Sequence, residues 1–77
     1  MSVLMVTARP PVLYTLGPRR LHLREWSATP AGGRLLAHAV LNEFGLWECW
    51  TRDATTPRIA IDRETAESQL RWIARQP

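Results

Sequence analysis

The stretch from Arg34 to Trp50, RLLAHAVLNEFGLWECW, decides what this chain folds into. Its first part reads two ways. As a helix it would run from Arg34 to Phe44, with Gly45 as the C-terminal stop. As a strand it would end at Leu41, and Asn42, Glu43, Phe44 and Gly45 would form a hairpin loop leading into a second strand, LWECWTR. A run this apolar has no periodicity that separates the two. The turn residues favour the strand, because Asn42 and Gly45 suit a reversal and a meander keeps sequence neighbours adjacent in space.

On the N-terminal side, RRLHLREWS places Leu21 and Leu23 in alternation with Arg20, His22, Arg24 and Trp26, the period-two pattern of a strand with one face buried. ATPAGG then reverses the chain into the Arg34 stretch. Before it, VLYTL at residues 12–16 is a short strand closed by Gly17-Pro18, and SVLMVTA is strand-like until Arg9-Pro10-Pro11 breaks it. Residues 1–18 therefore supply edge strands or a loose arm, and 19–61 a β-meander.

On the C-terminal side, DATTP is a loop, RIAI a short last strand, and residues 62–76 an amphipathic helix. Asp62 is the expected N-cap, Glu64 lies in the first turn, and Arg71 and Arg75 lie in the last, in agreement with the helix dipole. Ala66, Leu70, Ile73 and Ala74 form the apolar stripe, with Arg63, Glu67 and Arg71 outside it. The expected fold is α+β: one domain over residues 1–77, with a small, mostly antiparallel sheet of about three to five strands packed on one C-terminal helix.

Composition limits the function classes. A chain of 77 residues has a thin core, and four Trp supply much of the bulk such a core needs. Apolar content of 45% with 22% charged residues excludes a disordered chain. All ten basic residues are Arg and the net charge is +3, which permits contact with phosphate or carboxylate without requiring it. The single Cys forms no internal disulfide. SVLMV is too short for the apolar core of a signal peptide and no window could span a bilayer, so the expected location is cytoplasmic.

One helix covers one face of a sheet and leaves the other bare. In residues 46–52, alternation sends Trp47, Cys49 and Thr51 one way and Leu46, Glu48, Trp50 and Arg52 the other. Glu48 and Arg52 mark the wetter set, so Trp47 and Cys49 belong under the helix and Trp50 on the bare face. By the same rule Leu21, Leu23, Leu35, Ala37, Ala39 and Leu41 are covered, while Leu36 and Val40 stand outside. The candidate partner-binding set is Arg20, His22, Arg24, Trp26, His38, Trp50 and Arg52.

Catalysis finds no footing in this pattern. Cys49 has only His22 and His38 as candidate bases, and alternation puts both on the opposite face, which leaves a structural thiol. A zinc site from Cys49 and two His lacks a fourth ligand, AGG is a turn and no phosphate loop, and Asp53 and Asp62 are not placed as an acid/base pair. The expectation is a protein without catalytic residues, metal or cofactor that docks on a protein or nucleoprotein complex. A single-stranded nucleic-acid module is the alternative, since Arg interleaved with aromatics on an open sheet can stack bases and pair phosphates. A two-fold dimer could use the same face, and an edge strand offers strand addition. In outline, a compact sheet with one C-terminal helix is similar to small stand-alone accessory proteins of phages and plasmids, some anti-CRISPR inhibitors among them. The likeness lies in general architecture and in no residue motif, and it implies blocking a surface of a larger complex.

Overall fold

The computed structural model describes residues 9–29, 32–51 and 53–75. Five strands, β1 Val12–Thr15, β2 Arg20–Arg24, β3 Leu35–Leu41, β4 Trp47–Thr51 and β5 Arg58–Ala60, form one sheet in chain order, and helix α1, Arg63–Ala74, packs against it. Every neighbouring pair is antiparallel. The fold is α+β, and the ambiguous Arg34 stretch is the central strand. Both β2 and β4 pair with it, so coiling it would strip two strands of their ladder. The strand-like SVLMVTA lies outside the described residues.

The β3–β4 hairpin shows why the turn chemistry was informative. The Asn42 carbonyl accepts from Gly45 N–H at 3.2 Å, while its side-chain Oδ1 accepts from the N–H of Phe44 and Leu46 at 2.9 and 3.0 Å. Gly45 has φ +79°, which an L side chain rarely adopts. This is a turn closed by a left-handed glycine, and it sets Leu41 opposite Trp47.

Alternation then builds the covered face as cross-strand rows. Leu13, Leu23, Ala37 and Thr51 form one, Leu21, Ala39 and Cys49 lie in the next, and Leu41, Trp47 and Ala60 make the third. Ala37, Ala39 and Cys49 are small and almost wholly buried, which lets α1 approach closely, while Leu21, Leu23 and Trp47 fill the space around them. Ala66, Leu70 and Ile73 are the buried stripe of α1. Asp62 caps the helix, its Oδ1 accepting from Thr65 N–H at 2.7 Å, and Arg63 pairs with Glu67 one turn on at 3.1 Å. No helix among the described residues is long and apolar enough to cross a membrane.

Two details depart from simple alternation. The β2–β3 register shifts at the end of the pair: Leu23 faces Ala37, but Arg24 faces Leu35, so Leu36 is an extra residue in a bulge. Leu35, expected under the helix, therefore stands on Arg24's side of the sheet. The second departure is that β2 ends at Arg24, leaving Trp26 beyond the strand and outside its alternation. The Arg9 guanidinium lies over the Trp26 ring, 4.2 Å from its centroid.

Candidate binding face

The face away from α1 is organised by register. Tyr14 of β1 faces His22 of β2, His22 faces His38 of β3, and His38 faces Trp50 of β4. Rings from successive strands thus form one row across the sheet. The two imidazoles meet edge to face, with centroids 6.1 Å apart and planes at 69°. Below the row, Arg20, Val40, Glu48 and Ile59 are register partners in turn; above it, Val12 faces Arg24 and Arg24 faces Leu35.

The charges are held differently. Arg20 is exposed. Arg24 is half-buried, and its Nη1 donates to the Gly33 carbonyl at 3.0 Å. Gly32 gives it room, for a Cβ there would lie 3.0 Å from the Tyr14 hydroxyl and 3.3 Å from Arg24 Cδ. Glu48 is turned toward the hairpin, where its Oε2 accepts from Asn42 Nδ2 at 3.2 Å. Burial, followed by Arg24, His38 and Arg20, holds His22 below the ordinary imidazole value, and burial followed by Arg20 does the same to His38. Both rings therefore hold a proton less readily than a free imidazole. His22 Nδ1 is buried without a hydrogen-bond partner among the described residues.

Of the candidate set, Arg20, His22, Arg24, His38 and Trp50 come together on this face. Trp26 follows the end of β2 with the Arg9 guanidinium over its ring, and Arg52 lies outside the described residues. Tyr14 was missed: VLYTL carried the right alternation, but only the β1–β2 register puts Tyr14 beside His22.

Beneath the sheet a groove of about 500 Å³ runs between the last turn of α1 and the start of β3, with Leu36, Cys49, Arg58, Trp72 and Ile73 in its lining. The Arg58 guanidinium lies over the Trp72 ring at 4.5 Å and its Nε donates to Gln69 Oε1 at 2.9 Å. Cys49 is 1% exposed and its thiol points at the Ala66 carbonyl, 4.0 Å away. Burial pushes that thiol up, with Arg58 opposing only in part. The histidines are on the other side of the sheet, so neither imidazole faces it. Among the described residues no three His, Cys, Asp or Glu gather as a metal-binding group. Comparison with protein-family models, with curated proteins and with solved structures found no match to this chain.

Proposed function

We propose that this chain is a non-enzymatic binding protein that seats the bare face of its sheet on a macromolecular partner, a protein or nucleoprotein complex whose surface it blocks. The row Tyr14, His22, His38 and Trp50, flanked by Arg20 and Arg24, carries the reading. Aromatic rings and guanidinium groups contribute most of the energy at interfaces, and Val12, Leu35, Val40 and Ile59 add apolar area around them. The sheet edges offer less. Among the described residues β5 has three residues and follows Pro57, and β1 has four and follows Pro10 and Pro11. Short, proline-flanked edges oppose strand addition and direct contact to the face. A thiol kept protonated and walled off from both imidazoles fits binding better than chemistry.

The test is a photocrosslinking amino acid in place of Ile59, which is 51% exposed on the bare face, compared with one in place of exposed Ser68 on α1. In extracts of the native host, the docking reading expects an adduct from position 59 that disappears with Trp50→Ala. Adducts from position 68 alone, or from neither, overturn it.

A further inference from the structure

Arg20, His22 and His38 surround a depression of about 240 Å³ on the bare face, with Leu35 and Val40 completing its wall. Trp50, the register partner of His38, stands one strand further on, a step of about 4.7–4.9 Å. The depression therefore joins one permanent cation and two imidazoles to an adjacent indole. A metal cation is repelled there by Arg20 and Arg24, and an apolar group would leave the guanidinium without a counter-charge. An anion satisfies every member of the set, since guanidinium and imidazole N–H groups both donate to it. His22 can offer such a ligand only Nε2, because Nδ1 is buried.

The geometry points to one occupant: a backbone phosphate of single-stranded nucleic acid, held by Arg20, His22 and His38, with the neighbouring base stacked on Trp50. This rests on the docking reading and names the component of the partner that the face touches. A duplex does not fit, because its bases are already stacked on one another and offer Trp50 no free ring. The net charge of +3 draws a polyanion toward the chain, and Glu48, the carboxylate that the described strands place on this face, is engaged by Asn42.

The arrangement also carries a sign for pH. The groups facing the histidine pair are Tyr14 from β1, Arg20 and Arg24 from β2, and Glu48 and Trp50 from β4. A bound phosphate offsets the two arginines and favours imidazolium, so binding takes up protons and tightens as pH falls.

The experiment uses the whole chain and a fluorescent oligothymidylate of about twelve nucleotides, with a duplex of the same length as comparison. Anisotropy is read from about 50 to about 200 mM salt and from about pH 8 to about pH 6. The expected result is binding of the single strand in preference to the duplex, stronger at the lower pH. Arg20→Gln should weaken it roughly tenfold or more and lower the slope of log K against log salt by about 0.7. Trp50→Leu should weaken it roughly fivefold or more, and His38→Gln should flatten the pH dependence. Amide spectra of each variant show that the fold is kept. Equal binding of duplex and single strand, no binding at the lowest salt, or indifference to Arg20→Gln and Trp50→Leu overturns the inference. If the oligonucleotide fails while the probe at position 59 still traps a protein, docking stands and the nucleic-acid assignment falls; if both fail, the face is not a binding surface.

Discussion

Trp47 and Trp50, three residues apart on β4, stand on opposite faces of the sheet: Trp47 is 5% exposed beneath α1, and Trp50 is half-buried in the ring row of the face away from α1. The same side chain thus has two physical roles within one strand. Trp47→Ala removes a core ring and should cost about 3–5 kcal/mol, on the scale of the whole stability of a domain this size. Trp50→Ala should cost clearly less and leave a cooperative unfolding transition. Urea denaturation of both variants checks this, and equal losses would place Trp50 in the core.

Cys49 is expected to behave as a small buried hydrophobe. Its thiol is pushed above the ordinary value by burial, and α1 covers it, so alkylation by iodoacetamide at pH 8 should proceed only through opening of the structure. The rate in native buffer should fall well below that in denaturant. A native rate close to the denatured one would show the groove beneath α1 to be open down to the sulfur.

The histidine pair gives stability a pH dependence with a defined sign. Both folded-state values lie below the ordinary 6.5, so in the window between them and 6.5 the unfolded chain binds more protons. Stability is then complete above pH 6.5 and declines as pH falls through the folded values. Urea midpoints from about pH 7.5 to about pH 5 should fall, and His22→Gln with His38→Gln should flatten the decline. A midpoint that rises on acidification would contradict the burial of uncharged imidazoles.

Gly33 should be far less replaceable than Gly17. A Cβ at Gly33 would lie 2.5 Å from the Glu25 carbonyl oxygen, which already accepts the Gly33 N–H at 3.1 Å and so has no freedom to retreat. Gly33→Ala should destabilise by about 1–3 kcal/mol through overpacking against backbone. At Gly17, φ +74°, a Cβ meets nothing within 4 Å, so Gly17→Ala costs only the left-handed backbone, about 1 kcal/mol. Thermal melts of the two variants should rank them in that order.

Asp62 adds a second, more acidic limb to the pH profile. Its bonds to Thr65 hold the carboxyl below the ordinary 3.8, so the cap's contribution is complete above 3.8 and is lost as pH falls through the lower folded value. Asp62→Ala should lower the melting temperature at neutral pH and remove this limb while leaving the histidine limb in place. Identical acid profiles for the two proteins would show that the cap is not titrating.

Within-strand alternation and end signals made much of this molecule legible. Asp62, the stripe of α1, the opposed faces of Trp47 and Trp50, and the Asn42–Gly45 turn are each properties of a few adjacent residues. A period of two or 3.6, or a left-handed glycine, needs no distant partner to be recognised. The covered and bare sets on β2 and β4 followed from the same rule.

Register and closure belong to the tertiary structure. That Tyr14, His22, His38 and Trp50 share one row depends on how three separate connections set strand against strand, and no single strand contains that information. One extra residue at Leu36 turned Leu35 to the other face, and the end of β2 at Arg24 took Trp26 out of the alternation. The groove beneath α1 exists only because Trp72 and Ile73 of the last helical turn meet residues of β3, β4 and β5 far away in the chain. Side-chain direction along a strand is a local steric fact, whereas neighbourhood across strands is decided by turn lengths, bulges and the packing of the helix.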